Sequence, residues 1–206
     1  MRPKALPKGM WSKSIHYLYS LKNQCHCWCE SMLERDALLL MEFDDDIVAY
    51  KTQPISIQYK DLQGNVRRYT PDYLFKRKSD GAFGFREVKM AAFVSERLNE
   101  KVALINRRLR RDYESDLEII TDREIRVGST VDNLKVLYSY RRICIDISDA
   151  DRILRGLPRE FRYADLISFA KMLDLKDTMP LALLAHGFLC FEKSSPLLNE
   201  TRIFKP

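Results

Sequence analysis

Two carboxylates and one amine stand close together in the middle of the chain. Asp72 follows a Thr-Pro pair, and Glu87 precedes Lys89 by two residues. Carboxylate oxygens are ligands that Mg²⁺ prefers, and the main-chain carbonyl of Val88 is a further candidate ligand. A bound metal polarises a phosphate and lowers the pKa of water, while an adjacent lysine stabilises developing charge. These residues indicate metal-dependent phosphodiester hydrolysis, with a surface salt-bridge ladder as the alternative.

This chemistry requires the three side chains to share one face of a β-hairpin. A turn at residues 80–81 (Asp-Gly) is flanked by two runs with strand character, residues 66–75 and 83–89. A hairpin that turns on those two residues pairs Asp72 with Lys89. Because strand side chains alternate, Asp72, Glu87 and Lys89 then share a face, and a register shift of two residues preserves this. A shift of one residue would separate them.

A further carboxylate, Glu34, is expected from a helix that precedes the hairpin. Residues 30–43 have an apolar stripe at helical spacing, formed by Leu33, Ala37, Leu40 and Met41. Glu34 lies beside that stripe, and a carboxylate next to a buried face is costly unless it is paired or binds a metal. Glu34 is therefore either a fourth site residue or an ordinary glutamate at the edge of a helix.

The elements around the hairpin predict a mixed α/β domain. Strand periodicity begins at Ile47, and Ser95 is a plausible N-cap for a strong helix with the stripe Leu98, Val102, Ile105 and Leu109. A strand at residues 117–120 and a helix at residues 129–142 follow. A helix that returns the chain to a further strand predicts a mixed sheet flanked by helices.

Positive charge is concentrated in two places. The chain has a net charge of +6, and residues 1–29 form a basic arm without an acidic residue. The helix after Ser95 carries six basic residues that are candidates for DNA binding: Arg97, Lys101, Arg107, Arg108, Arg110 and Arg111. Such clusters suit a phosphate backbone, and a solvated surface is the alternative.

Three of the five cysteines stand in one short stretch, Cys25, Cys27 and Cys29. Disulfides are unlikely in a cytoplasmic protein, and the stretch lacks the C-x₂-C pairs of common zinc sites. We expect reduced, partly buried thiols rather than a metal site.

The last third of the chain differs in character. Residues 145–206 carry nine basic and nine acidic residues, so this segment is neutral. It contains three helical patterns and two short strands: residues 148–154, 163–173, 177–187, 188–191 and 201–204. Three helices and a hairpin are the parts of a winged-helix module, but the candidate recognition helix has no Arg or Lys. Docking to a protein is therefore favoured over reading of DNA.

These patterns predict three segments: a basic arm at 1–29, a catalytic domain at 30–144 and a winged-helix-like docking domain at 145–206. No apolar run approaches the roughly 20 residues of a membrane span. The first residues lack the apolar stretch of a signal peptide, so a cytoplasmic location without membrane contact is expected.

The order of these motifs resembles the restriction-endonuclease-like superfamily, which has a PD…E-x-K signature. It more closely resembles TnsA, the endonuclease subunit of heteromeric cut-and-paste transposases. The segments that carry this resemblance are residues 31–35 (SMLER), 43–48 (FDDDIV), 53–54 (QP), 69–72 (YTPD), 87–89 (EVK) and 121–125 (TDREI).

The resemblance implies roles for single residues. Glu34, rather than Glu30, matches the first catalytic carboxylate, and Asp72 and Lys89 match the other two catalytic positions. Glu87 occupies a position where the family has Glu or Gln, and here it would be a charged metal ligand.

The resemblance also implies cofactors and partners. One or two Mg²⁺ or Mn²⁺ ions would bind at the site, and the substrate would be the double-stranded DNA of transposon ends. The enzyme would cut the 5′ strands, while a DDE transposase (TnsB-like) processes the 3′ ends and an ATPase regulator (TnsC-like) contacts the complex. A stand-alone restriction or repair endonuclease and a non-catalytic DNA-binding assembly subunit remain the alternatives.

Overall fold

A computed structural model describes residues 15–206. Part of the predicted basic arm, residues 1–14, therefore lies outside the described residues. The rest of that arm folds into an antiparallel hairpin of β1 (His16–Ser20) and β2 (Cys25–Cys29). The alternation in β2 buries Cys27 and Cys29 and leaves His26 exposed.

The carboxylate of Glu42 fixes the turn between β1 and β2. It belongs to α1 (Met32–Phe43) and is fully buried. It accepts hydrogen bonds from the Ser20 hydroxyl at 2.9 Å and from the amides of Leu21 and Lys22 at 2.8 and 3.1 Å. The hydroxyl of Tyr50 also donates to it. A sequence pattern could not predict this hairpin, because its anchor is a charged residue about twenty positions away.

Five strands follow α1 in the first unit, and then a helix and a last strand. In chain order these elements are β3 (Ile47–Thr52), β4 (Ile57–Lys60), β5 (Val66–Tyr69), β6 (Tyr73–Arg77), β7 (Phe83–Lys89), α2 (Glu96–Tyr113) and β8 (Leu117–Thr121). The main sheet has the order β3-β6-β7-β8, in which only the pair β7–β8 is parallel. This confirms the predicted mixed α/β architecture.

The prediction of a single strand at residues 66–75 is wrong, because this segment contains two strands. Strand β5 pairs with β4 in a separate hairpin, and β6 joins the main sheet. The break falls at residues 70–72, where Pro71 lacks the amide that a continuous ladder needs.

The predicted register between β6 and β7 is wrong by two residues. Tyr73 pairs with Arg86, so continuing the ladder places Asp72 level with Glu87 instead of Lys89. The loop has four residues rather than two, because Asp46 draws it out of the ladder. The side chain of Asp46 accepts from the Ser79 amide at 2.8 Å, and its carbonyl accepts from the Lys78 amide at 2.6 Å. An even shift keeps Asp72 on the face of Glu87 and Lys89.

Helix α2 begins as predicted at Ser95, whose hydroxyl accepts from the Leu98 amide at 3.3 Å. Its stripe buries Ile105 and Leu109 completely, and these pack with Ile57 of β4 and Phe85 of β7. Helix α1 also packs against the main sheet, where it contacts β3 and β7. Both helices thus fix the strands that carry the candidate site.

The first compact unit ends at Ile125, within α3 (Asp122–Ile125), and the second spans Arg126–Pro206. The sequence had placed this boundary at 144–145 from the change in charge. The two positions differ because α4 (Thr130–Tyr140) packs against a helix of the second unit, which charge does not report.

The second unit continues with α5 (Ile147–Gly156), β9 (Glu160–Arg162), α6 (Tyr163–Met172), α7 (Met179–Ala185) and β10 (Arg202–Phe204). The three predicted helices are present. Strand β10 pairs with β9, and the predicted hairpin of 188–191 with 201–204 is reduced to one bridge between Cys190 and Phe204. Strand β9 escaped sequence reasoning because three residues are too few to show an alternating pattern. In residues 15–206 no helix has the length and apolar character needed to cross a membrane.

Candidate functional site

Asp72 lies at the junction between β5 and β6 and is tied to the chain on both sides. Its carboxylate accepts a hydrogen bond from the amide of Val88 at 2.8 Å. Its own carbonyl accepts from the amide of Gln53 at 2.8 Å. The side chain is therefore held against β7, between the positions of Glu87 and Lys89.

Glu87 is the most enclosed of the candidate carboxylates, with 6% of its side chain exposed. One of its oxygens is paired with the ammonium of Lys89 at 2.5 Å. The other accepts a hydrogen bond from the hydroxyl of Tyr69. Lys89 keeps 35% of its side chain exposed, so it is the member of the pair that solvent or a substrate can reach.

The electrostatics of the site are those of crowded negative charge. Burial raises the pKa of Asp72 to about 7, and the charges of Glu87 and then Glu34 add to this, while the amide of Val88 and the charge of Lys89 oppose it. Burial alone would lower the pKa of Lys89, but its hydrogen bond to Glu87 and the charges of Glu87, Asp72 and Glu34 raise it overall. The surrounding carboxylates therefore stabilise the charged form of Lys89.

Glu34 has a structural role at the start of α1, where it caps the helix. It is the third residue of α1, after the N-cap Ser31, and its carboxylate accepts from the Ser31 hydroxyl at 2.8 Å and from the Glu30 amide at 2.9 Å. The Ser31 hydroxyl in turn accepts from the Glu34 amide at 3.2 Å. This reciprocal pattern is a capping box. Glu34 still acts on the site through its charge, which contributes to the pKa shifts of Asp72 and Lys89.

The neighbouring glutamate, Glu30, is held elsewhere. Its carboxylate accepts from the side-chain amide of Gln53 at 3.1 Å, and Gln53 is the residue whose main chain contacts Asp72. Glu30 thus supports the loop that positions Asp72.

The carboxylates of the candidate site are suitable ligands for a hard cation, but they do not form a complete set of ligands around one point. Within residues 15–206, no group of three or more His, Cys, Asp and Glu side chains is arranged to hold a metal ion. Asp72 and Glu87 offer carboxylate oxygens, the ligand type that Mg²⁺ and Mn²⁺ prefer. Burial and then the charge of Glu87 raise the pKa of Asp72, and a bound cation would offset the effect of that charge. The residues therefore fit a metal held by two carboxylates, and Glu34 is engaged in capping. At Val88 the hydrogen bond to the site comes from the amide.

Two functional contacts were not foreseen from the residues themselves. Tyr69 belongs to a strand with two exposed arginines, and nothing in that pattern signals a bond to Glu87. Asp122 accepts from the Ala91 amide at 2.6 Å and so holds the turn that follows Lys89. Tyr69 lies in a segment that was predicted as a strand, and Asp122 lies in one that was noted for its resemblance to a family.

The candidate DNA-binding residues of α2 differ in their surroundings. Arg108 and Arg111 both pair with Asp112, and Arg110 pairs with Asp116 at 2.7 Å. The ammonium of Lys101 lies over the ring of Tyr69, 4.4 Å from its centre. Two further members, Arg97 and Arg107, are exposed.

Two of the cysteines, Cys27 and Cys29, are buried in β2. Burial raises the pKa of both Cys27 and Cys29 to about 12, so these thiols are protonated at neutral pH. The sulfur of Cys29 lies 3.7 Å from the hydroxyl of Tyr73. All five cysteines are free and only some are buried, which agrees with the reduced, partly buried thiols that were expected.

Comparison with known protein families finds a match to part of the chain. Residues 44–122 match the model described as TnsA-like endonuclease N terminal. The match covers a little over a third of the chain and includes Asp72, Glu87 and Lys89, whereas Glu34 precedes it. No curated protein matches the chain.

Proposed function

We propose that this chain, whose residues 44–122 form a TnsA-like endonuclease N-terminal domain, is the metal-dependent DNA endonuclease subunit of a cut-and-paste transposition machine. In this role it hydrolyses the 5′ strands at transposon ends, and a DDE transposase partner processes the 3′ ends. A TnsC-like ATPase regulator would contact the complex.

One observation supports this proposal above the others. Within the matched segment, the Asp72 carboxylate is held against β7 by the amide of Val88, and Glu87 of the same strand is paired with Lys89. Two carboxylates beside an accessible lysine are the groups that metal-dependent phosphodiester hydrolysis needs.

Asp72 and Glu87 would hold one Mg²⁺ or Mn²⁺ ion, with the carbonyl of Val88 as an additional ligand. The metal, when bound, supplies a Lewis acid for the phosphate and an activated water. The amide of Val88 keeps the Asp72 carboxylate in place, and Tyr69 keeps the Glu87 carboxylate in place. Glu34 adds negative charge from the start of α1.

Lys89 would act as the cationic group of the reaction. Its ammonium is paired with Glu87, and more than a third of its side chain is exposed. If Glu87 held a metal, the ammonium would be available to a phosphate oxygen, whose developing charge it would stabilise.

The second unit would serve as the docking module. Its order of helix, strand, two helices and strand, from α5 to β10, supports the winged-helix interpretation. Helix α7 has the sequence MPLALLA and offers no cation to DNA, which favours a protein partner.

The proposal is tested by reconstituting the full chain with its transposase partner, transposon-end DNA and Mg²⁺. Cleavage of the 5′ strand should fall at least about 100-fold in Asp72→Asn and Lys89→Ala, since each change removes a group needed only in the reaction. Glu34→Gln is the informative third variant, because glutamine keeps a capping box while it removes the charge. Undiminished 5′ cleavage in Asp72→Asn would refute the site.

A non-catalytic assembly subunit is the second candidate. It is favoured by two contacts: Glu34 is used as a helix cap, and Glu87 is already neutralised by Lys89. Under this alternative the three variants support strand transfer as well as the unmodified chain does, and 5′ cleavage requires another protein.

A further inference from the structure

The basic residues of α2 face two different grooves against the β4–β5 hairpin. The first groove, of about 390 Å³, lies along the C-terminal half of α2. Its charged lining residues are all cations: Lys60, Arg107, Arg108 and Arg111. Tyr59, Val66 and Leu104 provide apolar lining between them.

The second groove lies along the N-terminal half of α2 and has mixed charge. Its cations Arg67, Arg97 and Lys101 are matched by three acids, Asp61, Glu96 and Glu100. Arg67 is already paired with Asp61 at 2.9 Å. A polyanion would meet repulsion here as well as attraction.

The cations of the first groove are only partly compensated. One carboxylate, that of Asp112, is shared by Arg108 and Arg111. Within residues 15–206, neither Lys60 nor Arg107 has an ion pair with an acidic side chain. Four cations against one shared carboxylate leave an excess of positive charge between two fixed walls.

The first groove is also linked to the candidate site through the same hairpin. Ile57 of β4 pairs with Tyr69 of β5, and the hydroxyl of Tyr69 donates to Glu87. The β4–β5 hairpin therefore contributes residues to the first groove and a hydrogen-bond donor to Glu87.

We propose that the first groove binds the phosphodiester backbone of duplex DNA, with the β4–β5 hairpin as its second wall and Lys60, Arg107 and Arg111 as phosphate contacts. Arg107 and Arg111 are four residues apart, so they project from the same side of α2 about one turn apart. The apolar residues between the cations suit the sugar faces between phosphates. This inference rests on the proposed action on DNA and narrows it to one set of residues.

The test measures binding of the full chain to a labelled duplex by fluorescence anisotropy at several salt concentrations in EDTA, so that cleavage has no part in it. The double variant Lys60→Ala/Arg107→Ala should weaken binding at least about 10-fold at low salt. It should also reduce the slope of log K against log salt by about 2, since each phosphate contact contributes about 0.9. The loss should be equal for unrelated DNA sequences.

The matched control is Lys51→Ala/Lys78→Ala, which removes two exposed cations of the first unit outside this groove. It should change the affinity less than about twofold and leave most of the slope intact. Circular dichroism melts of both variants exclude unfolding as the cause of a difference.

Three results would overturn the inference: equal losses in the two double variants, a groove variant that binds like the unmodified chain, or no DNA binding by the unmodified chain. Competition by polyglutamate at the same charge concentration as competitor duplex would assign the groove to an acidic protein instead. If the unmodified chain binds DNA through this groove but does not cleave the 5′ strand with its partner, the endonuclease proposal fails and the present inference stands.

Discussion

The amide of Val88 in β7 donates a hydrogen bond of 2.8 Å to the carboxylate of Asp72, which precedes β6 and lies beyond the last residue pair of the β6–β7 ladder. The bond takes the place of a ladder bond at the edge where Pro71 interrupts the sheet. It fixes the Asp72 carboxylate beside Glu87, where burial and that second charge act on it.

We predict that Asp72 makes the protein less stable as the pH rises, when divalent cations are absent. Its pKa is raised from an ordinary value near 3.8 to about 7. Between these two values the folded state binds a proton that the unfolded state releases, so the free energy of unfolding decreases with pH. The contribution is about 1.4 kcal/mol for each pH unit within that window and is constant above it.

Urea unfolding of the unmodified chain and of Asp72→Asn, measured in EDTA from pH 4.5 to 8, tests this. Asparagine keeps the acceptor for Val88 and does not titrate, so the stability advantage of the variant should grow with pH up to about 7. A difference that does not change with pH would show that Asp72 ionises normally.

The local elements of the first unit could be predicted because their signals are local. Ser95 caps α2 as predicted, and the stripe that includes Ile105 and Leu109 is buried. The shared face of Asp72, Glu87 and Lys89 follows from strand alternation, which survived the error of two residues in register.

The errors arose where distant residues decide the local structure. Asp46 determines the length of the β6–β7 loop, and Glu42 determines the β1–β2 turn. The role of Tyr69 at Glu87 depends on how one hairpin packs beside another sheet. None of these contacts leaves a periodic pattern, so the sequence could not predict them.

We predict that a divalent cation stabilises the folded protein more strongly at pH 8 than at pH 5.5. At the higher pH the carboxyl of Asp72 is ionised and can bind the cation, whereas at the lower pH the proton competes. Thermal melts with 10-fold steps of Mg²⁺ or Mn²⁺ concentration should show a rising midpoint at pH 8. The rise should disappear in Asp72→Asn, and an equal rise in that variant would place the cation elsewhere.

We predict that Tyr69→Phe weakens metal binding without unfolding the chain. The change removes the donor to Glu87 but keeps the ring on which Lys101 lies. Loss of such a supporting hydrogen bond commonly costs 10- to 100-fold in metal affinity or activity. The concentration of Mn²⁺ that gives half of the thermal stabilisation at pH 8 measures the effect.

The control for Tyr69 is Tyr113→Phe, which removes a hydroxyl from a half-exposed ring that packs edge-on against Phe85. This control should retain the metal affinity of the unmodified chain. If both variants bind the metal equally well, Tyr69 does not position Glu87.

We predict that Glu42→Ala destabilises the first unit by about 2–4 kcal/mol, since the change leaves the amides of Leu21 and Lys22 and the hydroxyl of Ser20 buried or half-buried without their acceptor. Glu42→Gln should cost less, because it keeps one carbonyl oxygen for the two amides. Urea unfolding followed by tryptophan fluorescence suits this test, as Trp28 lies in β2 of the affected hairpin.

The control is Glu100→Ala, which changes an exposed glutamate of α2. Its free energy of unfolding should stay within about 0.5 kcal/mol of that of the unmodified chain. Equal stability of Glu42→Ala and Glu100→Ala would mean that the hairpin is held by the packing of Cys27 and Cys29 alone.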